Sequence, residues 1–316
     1  MLELARPDVS IIIVNWNTAD LLIDVVRSLR SETRSVTHEI IVSDNGSQDG
    51  SQEALSTIYP DVLLIENKEN LGFARANNLA FEFATGRYLC LVNTDIVALD
   101  GVLDKMVAHM DTYPDIGVLG PRILNSDGTV QENCRRFPTL MNAAGDYLML
   151  KHLFPRWSRF AGRTLPVATY QQTHVAEVLS GCFLMVRREA FAQVGPLDEA
   201  FFFYGEDTDW AKRFNLAGWK AVFYADAEAV HLGGASSRAY PVKYYLTMEC
   251  ADLTYWRKHH SQVACAAYVC MKIAYHLAAS AWLLPRALWH RSDRAQKVRG
   301  HLNNLIWLAT RQAPLM

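Results

Sequence analysis

The strongest constraint on the fold is an alternation of short apolar runs and amphipathic stretches over the first 120 residues. Four runs rich in β-branched residues each precede a stretch with apolar residues at helical spacing. These runs occupy residues 9–15, 39–45, 62–67 and 88–93. Continuous apolar strands linked by such helices are typical of a parallel sheet covered on both faces. The sequence therefore predicts an α/β fold with a mixed, mainly parallel sheet flanked by helices, and Gly86 is predicted to end the third helix.

Each of the four predicted strands ends in polar residues. These ends are Asn15 with Asn17, Asp44 with Asn45, Asn67 with Asn70, and Asn93 with Asp95. Ligands of parallel sheets bind beyond the carboxyl ends of the strands, so we expect the four ends to form one binding site. A dinucleotide site would need a Gly-x-Gly-x-x-Gly turn after the first strand, and the turn here, NWNTAD, has no glycine. The strand ends therefore predict a ligand site of another kind.

Asp95 follows the fourth apolar run directly. A carboxylate at this place offers the oxygen ligand that Mg²⁺ or Mn²⁺ prefers, and such an ion neutralises the charge of a departing nucleoside diphosphate. Alternatively, Asp95 and Asp100 cap the helix predicted around Val102. The residues by themselves leave both interpretations open.

Composition excludes some classes of function. The formal net charge is −2 over 316 residues, so the overall charge gives no reason to expect a nucleic-acid partner. Six cysteines without a Cys-x-x-Cys pair indicate reduced thiols that pack in a core. The first residues, MLELARPDVS, lack the apolar region of a secretory leader, so we expect the protein to work in the cytoplasm or on the cytoplasmic face of the inner membrane.

Seven motifs follow one another along the chain: VSIIIVNWN, SDNGSQDGS, ENLGFARANN, LVNTD, GCFLMVRREAF, LDEAFFFYGEDTDW and HLGGAS. Their order and approximate spacing resemble those of family 2 glycosyltransferases with the GT-A fold, and the chain most resembles the bacterial rhamnosyltransferase-type branch. In this family the NTD run occupies the place of an Asp-x-Asp metal motif, and here Asn93 replaces the first aspartate. The resemblance therefore implies a Mg²⁺ or Mn²⁺ ion held by Asp95 and His231. The alternative for His231 is a structural histidine.

The resemblance also implies a donor site for a pyrimidine nucleotide-sugar. Asn15, Trp16 and Asp44 match positions around the nucleobase, where a carboxylate accepts a ring N–H of uracil or thymine. Asn93 is also expected to bind the donor nucleotide. Arg75 and Asn78 lie near the start of the third predicted helix, where a guanidinium and a helix N-terminus both favour phosphate. The alternatives are an Asx turn for Asp44 and an exposed helix charge for Arg75.

The run YGEDTDW supplies the acid–base chemistry. Displacement at a sugar carbon needs a carboxylate that takes the proton of the acceptor hydroxyl. Asp207 matches the second residue of the family's Glu-Asp motif, which implies that Asp207 is the base of an inverting reaction. Glu206, Gly181 and Cys182 are then expected on the acceptor side, and Asp209 is expected to stabilise the helix. The alternative is that the acidic residues only complement the helix dipole.

The last part of the chain changes character. We predict a GT-A catalytic domain over residues 1–238, with a donor half to about residue 120 and an acceptor half after it, and a helical region over residues 239–316. The apolar run 263–284 is marginal for a membrane span, because Lys272 and His276 interrupt it. Basic residues beside tryptophan and leucine near the end suit a helix lying on an anionic membrane surface. Packing as an extra core helix or between copies of a homo-oligomer is the alternative.

These features together predict an inverting, metal-dependent glycosyltransferase. It would move a sugar, with rhamnose as one option, from a dTDP- or UDP-sugar to a glycan or a polyprenyl-linked acceptor in cell-surface polysaccharide synthesis. One alternative is a membrane scaffold that binds nucleotide-sugars without catalysis. Another is a sugar nucleotidyltransferase, which would want a basic, Gly-rich loop after the first strand.

Overall fold

The computed structural model describes residues 6–233, 241–287 and 293–310. The chain forms two compact units. The α/β unit comprises Met1–Arg135, Leu165–Phe202 and Glu206–Ser236, and the helical unit comprises Arg136–Thr164, Phe203–Gly205 and Ser237–Met316. The helical unit thus includes residues 136–164 as well as the C-terminal region that the sequence separated at residue 238.

Strands and helices alternate through the first 112 residues, as the apolar pattern predicts. The strands are β1 (Val9–Asn15), β2 (His38–Asp44), β3 (Leu63–Glu66), β4 (Tyr88–Asn93), β5 (Ile96–Ala98), β6 (Ile116–Leu124), β7 (Cys134–Arg135), β8 (His174–Ala176), β9 (Val178–Leu179), β10 (Phe183–Arg187) and β11 (Lys220–His231). The α-helices are α1 (Ala19–Glu32), α2 (Ser51–Ile58), α3 (Phe73–Phe81), α4 (Val102–Thr112), α5 (Leu140–Tyr147), α6 (Leu150–Leu153), α7 (Arg188–Val194), α8 (Glu206–Leu216), α9 (Pro241–His259), α10 (Gln262–Ala287) and α11 (Asp293–Thr310).

One mixed sheet forms the centre of the α/β unit. Its strand order is β3-β2-β1-β4-β10-β6-β11-β5, and β8 pairs with β11. Strands β1 to β4 run parallel to each other, and β10 is antiparallel to both β4 and β6. The predicted α/β fold class is therefore confirmed. The ends of β1, β2 and β4 lie side by side, because Asn15 pairs with Asp44 and Val14 pairs with Asn93.

Both faces of the sheet are buried, which explains why the strands are continuously apolar. In β1, Ile11 and Ile13 join one hydrophobic cluster, and Ile12, between them, joins the cluster on the opposite face. Helix α1 covers the first face with its predicted stripe, of which Leu22 and Val26 are fully buried.

The predicted end of the third helix is wrong. Helix α3 ends at Phe81, five residues before Gly86. A Cβ atom at Gly86 would lie 2.6 Å from the amide nitrogen of Ser10 and 2.8 Å from the carbonyl carbon of Val9. Gly86 is therefore required by the close approach of the β1 backbone, and it does not cap the helix.

The helical unit buries the polar residues that interrupt the apolar run. By length and composition, Gln262–Leu283 in α10 could cross a membrane, with a mean hydropathy of 1.3. Lys272 and His276 on this helix are nevertheless buried, and both contact Glu249 of α9, at 2.7 Å and 3.2 Å. Helix α10 therefore packs its polar residues inside the unit, and Val263, Leu277 and Trp282 are exposed.

Candidate active site

A hydrogen bond between Asn15 and Asp44, both predicted to bind the donor nucleotide, joins the ends of β1 and β2. The side-chain amide of Asn15 donates to Oδ2 of Asp44 over 2.7 Å, and both residues are fully buried. Oδ1 of Asp44 accepts from the Ser47 amide at 2.8 Å and from Nε2 of Gln52 at 2.6 Å. The bond to Ser47 reaches the amide three residues on and orders the loop after β2, whereas an Asx turn would use the amide of Gly46, two residues on. The same carboxylate lies at the carboxyl edge of the sheet.

The β4 end is tied to the β1 end through hydroxyl groups. The Thr18 hydroxyl donates to Oδ1 of Asn15 at 2.7 Å and contacts the Thr94 hydroxyl at 3.1 Å. Trp16 and Asn93 are half-buried beside these groups in the chain. The predicted donor residues Asn15, Trp16, Asp44 and Asn93 thus lie along one edge of the sheet.

Asp95 and His231 meet at this edge, although 136 residues separate them in the chain. Oδ1 of Asp95 lies 3.1 Å from Nε2 of His231, and both side chains are largely buried. Strand β5 places them, because it pairs antiparallel with β11 so that Ile96 is opposite His231. Asp95 precedes the first residue of α4 by seven positions, so it does not cap that helix. The rest of the HLGGAS motif, from residue 234, lies outside the described residues.

Gln131 fixes the tautomer of His231. The Gln131 side-chain nitrogen donates to Oδ1 of Asn125 at 2.9 Å and to the His231 carbonyl at 3.3 Å, so its oxygen faces the ring. That oxygen lies 2.6 Å from Nδ1 of His231 and can only accept a hydrogen bond, so Nδ1 carries the hydrogen. Nε2 therefore presents either a second N–H or a lone pair to Asp95.

This pair fits a divalent cation. A lone pair on Nε2 facing a carboxylate oxygen at 3.1 Å is repulsive until a proton or a cation lies between them. A histidine that donates its other N–H to an oxygen is the usual arrangement of a metal ligand. Among the described residues, no group of three His, Cys, Asp or Glu side chains is placed to hold a metal. Asp95 and His231 would thus supply two ligands, and the other coordination positions would face the substrate.

The first amide of helix α3 is already bonded within the protein. The Phe73 amide donates to the Phe202 carbonyl at 2.7 Å, and a Cβ atom at Gly72 would collide with the same carbonyl. The Asn78 side chain donates to the Leu197 carbonyl at 2.9 Å and accepts from the Leu197 amide at 3.0 Å. Asn78 therefore holds the segment that leads to α8, and of the two predicted phosphate residues we retain only Arg75 in the donor site.

Arg75 is exposed on the same helix. Its side chain is 57% exposed and lies 3.9 Å from Glu199. An ion pair at this exposure is weak, so the guanidinium can turn to another anion at little cost.

Asp207 lies in the first turn of α8 with both carboxylate oxygens oriented. Oδ1 accepts from the Thr208 amide at 2.6 Å, and Oδ2 accepts from Nη2 of Arg135 at 3.0 Å. Oδ1 also accepts from the Thr208 hydroxyl at 3.1 Å, so Oδ2 is the oxygen with room for a further donor. Strand β7 carries Arg135 to this place by pairing with β9, where Val178 is opposite Arg135. Asp209 is fully buried and accepts from Arg213 one turn later, so it stabilises the helix as expected.

Glu206 is buried beside Asp207. It is only 6% exposed, and its Oε2 atom has no hydrogen-bond partner among the described residues. Burial, together with the charge of Asp207, raises the pKa of Glu206 to about 8. The carboxyl group is therefore protonated at neutral pH. Acceptor binding by Glu206, which the resemblance implies, would therefore involve a buried neutral acid and not a carboxylate.

Gly181 and Cys182 connect the two groups of acids. A Cβ atom at Gly181 would lie 3.7 Å from Cβ of Asp207, and the Cys182 carbonyl accepts from the Asn93 amide at 2.9 Å. Burial raises the pKa of the Cys182 thiol to about 11, and the charges of Asp95 and Asp207 add to this. Gly181 and Cys182 therefore lie next to Asp207 on one side and next to the end of β4, two residues before Asp95, on the other.

Sequence reasoning missed two residues of this site, Arg135 and Gln131. Arg135 belongs to the run RRFPTL, which mixes basic with aromatic residues and is not typical of any one kind of site. Gln131 lies 100 residues from its histidine partner, and no spacing rule connects them.

Comparison with known proteins gives the same picture as the geometry. The sequence model of Glycosyl transferase family 2 matches residues 10–195. The N-acetylglucosaminyl-diphospho-decaprenol L-rhamnosyltransferase of Mycobacterium tuberculosis is 33% identical over 209 residues, which cover 61% of this chain and 66% of the relative. This match spans slightly less than two thirds of the relative's length. The O-antigen biosynthesis protein RfbC of Myxococcus xanthus is 30% identical over 236 residues, which cover 74% of this chain and 18% of that protein.

A solved structure supports the fold. The mannosyltransferase PcManGT from Pyrobaculum calidifontis, in complex with GDP-Man and Mn²⁺, superposes with a TM-score of 0.58 at 16% identity. The match covers 97% of this chain and 88% of that one, which shows a shared GT-A fold. Because the family model matches more than half of the sequence and spans the strand ends that build the site, this chain belongs to glycosyl transferase family 2.

Proposed function

We propose that the protein is an inverting glycosyltransferase that moves a sugar from a dTDP- or UDP-sugar to a polyprenyl-diphosphate-linked glycan in polysaccharide synthesis. L-Rhamnose is the sugar we favour, because the mycobacterial relative is named for its transfer to a decaprenyl-linked N-acetylglucosamine. The observation that supports the proposal is the place of Gly181 and Cys182, which lie beside Asp207 and hydrogen-bond to Asn93, two residues before the Asp95 that contacts His231.

Asp207 is the proposed base. One carboxylate oxygen of Asp207 accepts the proton of the acceptor hydroxyl. At the same time the oxygen of that hydroxyl bonds to the anomeric carbon, and the bond from this carbon to the diphosphate breaks. The displacement inverts the anomeric centre. Arg135 and Thr208 hold the Asp207 carboxylate in one orientation, so the acceptor hydroxyl must donate its proton from a defined direction. Gly181, which has no side chain, leaves room beside Asp207 for the acceptor sugar.

The diphosphate of the donor would lie near the Asp95–His231 pair. Asp95 and His231 would hold Mg²⁺ or Mn²⁺, which when bound neutralises the charge that develops on the leaving diphosphate. Arg75 would add positive charge at the mouth of the donor site. Asn15, Trp16, Asp44 and Asn93 would line the nucleobase and ribose end, with Asp44 accepting the ring N–H of a pyrimidine.

Glu206 receives a new role in this proposal. As a buried neutral acid behind Asp207, it adds no second negative charge to the acceptor site. We therefore propose that it supports the base and does not bind the acceptor.

A lipid-linked acceptor implies that the enzyme works at a membrane surface. The protein would act from the cytoplasm on the cytoplasmic face of the membrane, either as a monomer or as a homo-oligomer.

The test is a mass-spectrometric screen of dTDP- and UDP-sugars with membrane lipid extracts, read out as nucleoside diphosphate release and as a mass increase of the acceptor. Asp207→Asn should lower turnover by about 10²- to 10⁴-fold, because a positioned base contributes on that order, while donor binding by calorimetry stays unchanged. Asp115→Asn, on an exposed acid paired with Lys220, is the matched control and should keep full turnover. Donor binding without turnover for any acceptor would favour the scaffold alternative. Release of pyrophosphate from a nucleoside triphosphate and a sugar phosphate would favour the nucleotidyltransferase.

A further inference from the structure

An exposed segment of the helical unit joins large apolar side chains with basic ones. All eight residues from His152 to Arg159 are exposed. Within them, Leu153 is 68% exposed, Phe154 43% and Trp157 59%. We call the set Leu153, Phe154, Arg156, Trp157 and Arg159 the aromatic–basic patch.

The aromatic side chains of the patch pack against one another in an ordered arrangement. The ring centroids of Phe154 and Trp157 are 5.3 Å apart, and Phe160 stacks on Trp157 at 6.0 Å with an interplanar angle of 8°. Backbone hydrogen bonds hold the turn, from the Trp157 amide to the Phe154 carbonyl at 3.0 Å and from Phe160 to Trp157 at 2.9 Å. The segment therefore presents a formed apolar surface to the outside.

The base of the segment is fixed to α5. A Cβ atom at Gly145 would collide with the Phe160 carbonyl, so only glycine admits this close approach. Asp146 of α5 binds Nζ of Lys151 at 2.9 Å and the Arg163 amide at 3.1 Å. Both ends of the segment are thus held by one carboxylate, and its rings remain exposed at the tip.

The segment that carries the patch has charge of one sign, and Asp146 and Asp252 of other segments pair with Lys151 and Arg163 at its two ends. Residues 147–176 contain no Asp or Glu, whereas Lys151, Arg156, Arg159 and Arg163 all lie within them. Arg156 and Arg159 form no ion pair within the described residues, so both keep their charge for an outside partner.

We propose that the aromatic–basic patch docks the protein on an anionic lipid bilayer, with Phe154 and Trp157 at the headgroup level and Arg156 and Arg159 on the lipid phosphates. Tryptophan beside arginine suits this interface, where a ring buries its apolar part and a cation meets negative charge. A second copy of the chain fits less well, because two patches face to face would bring four arginines together. This proposal rests on the membrane location proposed above and assigns the membrane contact to a particular surface. Vesicle binding can be measured without sugar transfer.

Helix α10 also exposes apolar residues, and its charge distinguishes it from the patch. The one Lys or Arg between Gln262 and Leu283 is Lys272, which is buried against Glu249. Binding through α10 would therefore not depend on the charge of the lipid. Binding through the patch would increase steeply with the anionic fraction.

The test is co-sedimentation of the full chain with phosphatidylcholine vesicles that contain, or lack, phosphatidylglycerol. Arg156→Glu with Arg159→Glu should lower partitioning onto anionic vesicles by at least about 25-fold, since each basic residue near the surface contributes roughly fivefold. Phe154→Ser with Trp157→Ser should lower it by about tenfold or more on both anionic and neutral vesicles. Arg27→Glu with Arg34→Glu, on exposed arginines of the α/β unit, makes the same charge change and should leave binding within about twofold of wild type.

Circular dichroism of each variant establishes that it is folded before binding is compared. Unchanged vesicle binding in both patch variants would overturn the proposal, as would a loss that the control pair reproduces. Loss of binding in Trp282→Ser with normal binding in the patch variants would assign the contact to α10 and would also overturn it. A patch-dependent change in mass by light scattering without lipid would show a contact between copies instead. A protein that binds vesicles through the patch but transfers no sugar would contradict the proposed function and leave this inference standing.

Discussion

Replacement of Glu206 by glutamine should change how stability depends on pH. Glu206 is buried beside Asp207, and its pKa rises from 4.5 to about 8 on folding. Below pH 4.5 the group is protonated in both the folded and the unfolded chain. Between pH 4.5 and 8 only the folded chain keeps the proton, so stability falls as the pH rises through this window. Glutamine carries no titrating proton, so the variant lacks this loss.

The magnitude follows from the two pKa values. The interval from 4.5 to about 8, at about 1.4 kcal/mol for each pH unit, gives on the order of 5 kcal/mol. We therefore expect the free energy of unfolding of wild type, measured against that of Glu206→Gln, to decrease by several kcal/mol from pH 5 to pH 8. A constant offset between the two proteins has no bearing on this slope, because a buried amide has its own hydrogen-bonding cost at every pH.

The assay is urea denaturation of both proteins at pH 5, 6, 7 and 8, followed by circular dichroism. Asp207→Asn serves as the partner control, since it removes the negative charge that is the second cause of the raised pKa of Glu206. The pKa of Glu206 in the folded variant should be lower, so the fall in stability should end at a lower pH than in wild type. Parallel pH dependence in wild type and Glu206→Gln would show that Glu206 ionises normally. It would refute the argument that a neutral acid lies behind the proposed base.

Three further changes test other parts of the site. Gly72→Ala should destabilise the protein by about 2 kcal/mol or more, because Gly72 has a φ of +82° and a Cβ atom would meet the Phe202 carbonyl; thermal unfolding measures this, and an unchanged midpoint would contradict it. In Gly181→Ala the new Cβ atom would lie 3.7 Å from Cβ of Asp207, so the variant should keep near-normal stability. The added methyl group should nevertheless raise the KM for the acceptor, and an unaltered KM would place the acceptor elsewhere. Gln131→Leu should weaken Mn²⁺-dependent donor binding by about 10- to 100-fold, as loss of a partner that orients a metal-bound histidine usually does, while metal-independent binding would count against the Asp95–His231 site.

Local pattern was sufficient to predict the parallel half of the sheet. Strand β1 matches the predicted run over Val9–Asn15, and β4 matches it over Tyr88–Asn93, because fully buried strands need continuous apolar side chains. The end of α3 was not predictable in this way. A glycine after an apolar helical stripe is typical of a helix C-terminus, and only the close approach of the β1 backbone shows why glycine is required at position 86.

The motifs gave candidate residues without their environments. Asp207 and Glu206 are adjacent in the chain, yet Arg135 orients Asp207, whereas Glu206 is enclosed and its Oε2 atom has no partner in the part of the chain that the structure describes. The difference depends on β7 and on the packing of α8. Asn78 illustrates the opposite case, since its place near a helix start suggested phosphate and its amide instead binds Leu197.

The sequence by itself determined the α/β class, the polar strand ends and the acids that carry the proposed chemistry, because apolar periodicity and residue type act over a few neighbouring positions. Only the tertiary structure decided which distant groups meet. The 3.1 Å contact of Asp95 with His231, the orientation of that ring by Gln131 and the raised pKa of Glu206 depend on strand order and burial. Contact energies and desolvation act between groups that are close in space, whatever their separation along the chain.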